Sequence, residues 1–509
     1  MNRVVILSIR CCYLIFFAAT GCTKDASGSA AFPRTKGATP VVSSPADKPI
    51  EPAKLKEDLD CLFITIEQTH PNMYAYVTPD EFARLKRHTY EAIKGSMTKQ
   101  QFYWLVAPVV ASLKSGHTCV SPLGVEFLDY LKAGGKCFPL KLYASPSGLV
   151  LQSYPSEGLP LGATVNKIND KDVNVVVNVL ARCIASEHRD FNVTAVFQAS
   201  AALWFWMAGY DTSKPLQLDV TTIEGKHRQL KLPAVTLTEV QAFQKQHKLE
   251  MRPSSYSFRI LPGHNVGLLE LNLLMEDERD PFEKFLKRVF REMHEKNAPD
   301  LIIDLRKNPG GNTALGDELM AYLTDRPLRQ ASVERLKMSP LFRKMLLENK
   351  VSLEDFEKED LGGQKAEDGK VYDCPAAETK PKPVAWPYRG RIYLLIGRKN
   401  YSSAAMLASA MKHYRLAVLV GEETGEPTAQ YGNILSFRLP NTDLQVGVAC
   451  KYFVMAGGCE DKRGVIPDHE VIETPDDLAK GKDPAMDYVL DYIRHAEPSP
   501  CEVPAYDAD

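Results

Sequence analysis

The stretch Leu301-Ile302-Ile303-Asp304-Leu305-Arg306-Lys307-Asn308-Pro309-Gly310-Gly311 decides the fold. Four of its first five residues are apolar, over a strand's length, the pattern of a strand covered on both faces. A charged turn ending in Pro-Gly-Gly follows at once, and a helix is expected from about Thr313 to Leu323. Outward from this unit the pattern repeats. On one side NVGLLEL (265–271) reads as a buried strand, and Asp280-Pro281 supplies an N-cap and first-turn proline for a helix. That helix carries Phe282, Phe285, Leu286, Val289, Phe290 and Met293 on one face. On the other side come RIYLLIG (391–397), a helix from Ser402 to Tyr414, and LAVLVG (416–421). Apolar strands joined by helices predict an α/β core over residues 254–475, a mostly buried sheet with helices packed on it. Residues 326–385, rich in charge, Gly and Pro, interrupt the alternation and read as a partly helical insertion near the site or at an interface.

The remainder of the 509 residues divides by composition. Arg3 and Arg10 flank a short apolar stretch that ends at Ala19-Thr20-Gly21-Cys22, the form of a secretory signal peptide over residues 1–21. Small residues running directly into Cys22 resemble the bacterial lipobox, so Cys22 is the expected lipidation site. A Ser-, Ala-, Pro-, Thr- and Lys-rich stretch over 22–53 reads as a flexible tether. Leu55, Leu59, Leu62, Phe63 and Ile66 then open a helical pattern that continues through Phe82–Ile93 and Phe102–Leu113, giving an N-terminal helical domain over 54–120. Residues 136–233 change to short β-type runs punctuated by Gly, Pro and Asn-Asp turns, and Leu161–Asn169 is similar to a PDZ strand and turn. Such a PDZ-like module could hold a peptide as an added strand. A C-terminal helix and tail occupy 476–509.

Charge narrows the partners. With 62 Lys+Arg against 64 Asp+Glu, spread along the chain, no basic field is available for a phosphate backbone, and nucleic acid is not expected. Hydrophobic residues at 44% are enough for sizeable cores. Of the eleven cysteines, Cys11 and Cys12 fall in the signal and Cys22 at its end, leaving eight in the body. An even number in an exported protein is compatible with structural disulfides, and the absence of a C-x-x-C pair gives no metal expectation.

Two strand-to-helix junctions carry groups suited to chemistry. Gly310 and Gly311 can adopt conformations closed to other residues and leave N–H groups unobstructed, as an oxyanion hole requires, or they form an ordinary Pro-Gly-Gly turn. Asn400-Tyr401-Ser402-Ser403-Ala404-Ala405 places hydroxyls at a helix N-terminus, where unpaired N–H groups favour developing negative charge. That suits a nucleophile, and equally a plain helix cap.

The ordered set GHT (116–118), DLRKNPGG (304–311), YSSAA (401–405), LVGEETG (419–425) and GVIPD (464–468) resembles the tail-specific, or C-terminal-processing, serine peptidase family. The resemblance is strongest to the branch that includes the tricorn core peptidase and the interphotoreceptor retinoid-binding repeats. It implies a crotonase- or ClpP-like α/β core, with the helical and PDZ-like regions in front. It also implies Ser402 as nucleophile, with Ser403 one position along, and an oxyanion hole from the Ser403 N–H with Gly310 or Gly311. The family's Ser-Lys type places a lysine in the turn after G-E-x-T, but Pro427 stands there and no lysine occurs between Lys412 and Lys451. A serine needs a base. The tricorn-like branch uses a histidine in the position of His117, and a glutamate shortly before G-V-x-P-D, matched by Glu460 with Asp461 as neighbour. Two departures stand out: Ala405 replaces a family glutamate, and Gly116 replaces the serine that relays between histidine and acid, so a relay would fall to Ser115 or water.

The resemblance therefore implies a lipid-anchored serine peptidase acting on polypeptide tails in the bacterial envelope, on the periplasmic face, with no cofactor or metal. Thr23, not Asp, after the lipid cysteine leans towards the outer membrane. The alternative expectation is an inactive protein that binds peptides or apolar ligands on the same scaffold, motivated by the absent lysine, Ala405 and Gly116.

Overall fold

The computed structural model describes residues 48–145, 148–187, 196, 201–247, 254–277 and 280–495. The signal, Cys22, nearly all of the tether and the extreme C-terminal tail lie outside the described residues. Among the described residues no helix is long and apolar enough to cross a membrane.

A mixed α/β fold is organised around a six-stranded sheet in the order Tyr256–Leu261, Val266–Leu271, Asp300–Asp304, Arg391–Ile396, Val418–Gly421, His469–Glu470. The first pair is antiparallel and the others are parallel. All five residues of Asp300–Asp304 are buried: Leu301, Ile302 and Ile303 form its apolar centre, and the aspartates at its ends pair with Arg391 and Arg306. The helix Phe282–Glu295 lays its six apolar side chains, each no more than 2% exposed, into the core beneath this sheet. Its start differs from the expectation by one position. Pro281 is the capping residue and makes no side-chain cap; Asp280 instead pairs with Arg288 at 2.7 Å, and Glu276 accepts the Phe282 N–H at 3.0 Å.

The second sheet is antiparallel. Its long strand Gln445–Met455 pairs with Ala429–Arg438, with Ala331–Lys337 and with the two-residue strand Cys119–Val120. The insertion thus contributes a strand here, followed by the helices Pro340–Glu348 and Leu353–Glu359 and the strand Val371–Cys374, around a small core of Leu336, Met338, Phe342, Leu346 and Phe356.

The third sheet runs through Lys141–Ser145, Gly148–Ser153, Thr164–Ile168, Leu216–Thr221 and His227–Leu232. Helices Pro52–Thr69, Pro79–Ala92 and Lys99–Ala111 form where the periodicity places them, the last two opened by capping boxes from Thr78 and Thr98. Their apolar faces share one core with the third sheet and with Leu439, Leu444, Val446 and Val448, so they pack as part of a larger body. The described cysteines Cys61, Cys119, Cys137, Cys183, Cys374, Cys450 and Cys459 are free thiols, so the disulfides that an even count made reasonable are not formed among the described residues.

Candidate active site

Parallel pairing of Asp300–Asp304 with Arg391–Ile396 brings their carboxyl ends side by side, and each strand then releases one of the two junction loops. Two buried asparagines fasten those loops together. Asn400 accepts the Gly397 N–H at 2.8 Å and donates to the carbonyls of Leu305 and, at 3.2 Å, Asn308. Asn308 donates to the Leu271 carbonyl at 2.9 Å and accepts the Gly310 N–H at 2.8 Å. These bonds serve buried main-chain groups, so losing Asn400 removes a partner from the Gly397 N–H and the Asn308 carbonyl, and losing Asn308 removes one from the Gly310 N–H.

The approach is close enough to require both glycines. Gly310 has φ +114°, and a Cβ there would lie 2.7 Å from Ser402 Cβ and 2.8 Å from the Tyr401 carbonyl oxygen. Gly311 has φ +141°, and its Cβ would overlap the Leu274 carbonyl. The Gly310 N–H is engaged by Asn308, so of the two glycines expected as oxyanion donors only Gly311 keeps its N–H outside the described hydrogen bonds.

Ser402 stands at the N-cap position of helix Ser403–His413, yet its side chain makes no capping bond. Its backbone is at φ 50°, ψ −130°, far from the extended conformation of ordinary caps. A non-glycine residue held there costs about 1–3 kcal/mol, a cost that persists only where surroundings enforce it. Here the enforcement comes from Gly310 beneath and from Glu426, whose carboxylate accepts the Ser402 N–H. Ser403 points elsewhere, its hydroxyl donating to the Gly311 carbonyl at 2.7 Å.

His117 arrives from far away in sequence. The strand Cys119–Val120 is paired with Val446 and Gly447, and the Thr118 hydroxyl accepts the Ala449 N–H at 3.1 Å. Ser115 donates to Thr118 at 3.2 Å, so its hydroxyl is turned to anchoring the turn. The imidazole is 2% exposed, and burial pushes its pKa down to about 4 against a hydrogen bond to the Tyr431 backbone that raises it. It is therefore neutral near pH 7. Its Nδ1 lies 3.3 Å from Glu426, and its ring lies beside that of Tyr401, with centroids 5.1 Å apart.

The sequence reading missed this acid. Glu426 is fully buried, and burial followed by the charge of Glu187 holds its pKa well above the usual carboxylate range. The one hint was its place in GEETGEP, immediately before the proline that replaces the family lysine. A second missed acid, Glu187, accepts the Gly116 N–H at 3.0 Å and the Tyr401 hydroxyl at 3.2 Å, and burial raises it to about 7. Gly116 now has a reason. A Cβ there would overlap the Tyr401 hydroxyl, so tyrosine from the Ser402 turn occupies the space in which a serine at 116 would stand.

None of the described contacts joins Glu460 to His117. Glu460 lies on the exposed loop after Gln445–Met455 and accepts the Tyr452 hydroxyl at 2.6 Å; the Tyr452 ring packs on Tyr431, with centroids 5.1 Å apart. Asp461 beside it accepts the Arg463 N–H at 2.9 Å. His117, Gly311, Ser402 and Ser403 all line one cavity of about 320 Å³, whose far wall is supplied by the insertion through Leu328–Ala331, Glu334, Asp360 and Cys374–Ala377. Among the described residues no group of His, Cys, Asp and Glu is arranged to hold a metal ion.

Residues 265–471 match the model of Peptidase family S41. A tail-specific protease of Haemophilus influenzae is 22% identical over 244 residues, a match taking in 46% of this chain and 29% of that protein. Among solved structures, mature CPAF complexed with lactacystin shares 16% identity, with a TM-score of 0.58, 87% of this chain covered and 98% of that chain. Mature CPAF gives the same identity and TM-score, with 97% of that chain covered. These structural likenesses concern the fold.

Proposed function

We propose, from a tail-specific peptidase resemblance that the S41 match over residues 265–471 upholds, that this chain is a serine peptidase hydrolysing polypeptide tails. The observation that carries the reading is Ser402 itself. It sits at a helix start without capping it, in a strained backbone conformation, on the wall of a cavity that His117 also lines.

In this mechanism Ser402 Oγ attacks the substrate carbonyl while neutral His117 takes its proton, and the N–H groups of Gly311 and Ser403 receive the oxyanion. The imidazolium so formed lies against Glu426, whose ionised form it stabilises, and it returns the proton to the leaving amine. Glu426 thereby takes the orienting role first given to Glu460. Family likeness supports a polypeptide substrate. The leader ending at Cys22 supports export and lipid anchoring in the bacterial envelope, and the third sheet supplies edge strands to which a tail could be added.

Ser402→Ala and His117→Ala test the assignment together. Each should lose labelling by a fluorophosphonate probe and hydrolysis of a peptide library while melting cooperatively. Wild-type protein that takes no label and cleaves nothing would favour the binding reading.

A further inference from the structure

A second cavity, of about 470 Å³, lies behind the catalytic loops and shares no lining residue with the first. It is bounded by the carboxyl ends of the parallel strands, by Tyr143 and Gln152 of the third sheet, and by Lys482–Met486. The crevice at the carboxyl ends of parallel strands is the usual ligand position in open α/β sheets.

Its charges are arranged unevenly. Arg306 is neutralised by Asp304 and Asp483 at 2.7 and 2.6 Å, Arg398 by Glu422 at 2.9 Å, and Arg259 by Glu270 at 2.7 Å. That leaves Lys307, Lys399 and Lys482, which have no ion pair or side-chain hydrogen bond among the described contacts, against Glu473 and the second carboxylate of the Asp304–Arg306–Asp483 group, so the lining keeps a small positive excess. Lys399 is the most enclosed of them. Burial, then the like charges of Lys141 and Lys307, push its ammonium down to about 8, so it is still charged near pH 7. Lys307 and Lys482 reach the exposed rim while Lys399 lies further in, and an anion at the mouth would offset the repulsion between Lys307 and Lys399.

We propose that this cavity binds an oxyanion, a carboxylate or phosphate-type group held between Lys307 and Lys399. The two lysines lie three residues before Gly310 and three before Ser402, on the loops that Asn308 and Asn400 fasten. A bound anion would therefore bridge the oxyanion loop to the nucleophile loop from behind. Arg398 also donates to the Ala144 carbonyl at 3.0 Å, so the third sheet contacts the same loop. Two sources share this chemistry: the terminal carboxylate of a polypeptide and a small free anion.

Calorimetric titration of the full chain carrying Ser402→Ala tests the site with inorganic sulfate, whose charge does not change between pH 6 and 9, and with a short peptide as free acid and as amide. Sulfate should bind, at least tenfold more weakly after Lys307→Gln or Lys399→Gln, and more weakly at pH 9 than at pH 7 as Lys399 discharges. Binding of the free acid but not the amide identifies a polypeptide terminus; binding of sulfate alone identifies a small anion. The pH dependence is read on the chain with both lysines present, so it holds even where a lysine variant fails to fold. No binding of any probe, or equal affinity in folded lysine variants, overturns the proposal. Fluorophosphonate labelling of the wild type is read separately, so failure of the peptidase reading and failure of the anion site are distinguishable.

Discussion

Replacing Glu187 by Gln should alter how stability depends on pH more than it alters stability itself. The carboxyl end of Glu187 is enclosed by the Gly116 N–H at 3.0 Å and the Tyr401 hydroxyl at 3.2 Å, and its pKa rises from the ordinary 4.5 to about 7. Because the folded value lies above the unfolded one, the protonated carboxyl contributes stability that is fully present below pH ~4.5 and is lost as pH rises through about 7. A displacement of that size corresponds to about 3 kcal/mol once the group is ionised in both states. Glutamine keeps an acceptor for Gly116 and has no proton to lose. Urea unfolding at pH 5, 6, 7 and 8 is the assay: the wild type should lose about 2–3 kcal/mol relative to Glu187→Gln between pH 5 and pH 8. Parallel stability curves for the two proteins would refute the reasoning, since they would mean that Glu187 titrates in the folded chain as it does in water.

Gly310→Ala should combine a backbone penalty of about 1–3 kcal/mol with overpacking of similar size against Ser402 and Tyr401, lowering the melting temperature and slowing probe labelling. Wild-type values for both would contradict the close approach of the two loops. Gly116→Ser should destabilise because its hydroxymethyl meets Tyr401, and adding Tyr401→Phe should recover part of that loss. A double mutant no better than Gly116→Ser would show that the two residues do not compete for space.

The α/β core was legible because its signals are local. The mostly apolar stretches at 266–271, 301–303, 391–396 and 418–421 lie in strands that neighbours cover, and burial writes itself directly into composition. Ser402 and the Gly310-Gly311 pair were legible as residue types at strand ends, and the structure adds why the cap reading fails for Ser402. The acids were not legible. Glu187 meets partners 71 and 214 residues away, and Glu426 meets His117 from a distant part of the chain that only folding brings near. Glu460 was reached through the resemblance, and in the fold its carboxylate serves Tyr452. The staples Asn308 and Asn400 stood inside quoted motifs, but their role comes from main-chain groups of loops that sequence alone does not juxtapose.

The pairing of Cys119–Val120 with Gln445–Met455 has a bearing on when the site comes into being. His117 leaves the ribosome early and Ser402 late, and the strand that fixes the histidine is later still. A chain that ended before Gln445 would lack the strand on which Cys119–Val120 is laid, and with it the anchor that places His117 on the cavity wall. In the proposed mechanism Ser402 therefore depends on chain well beyond its own loop for its base.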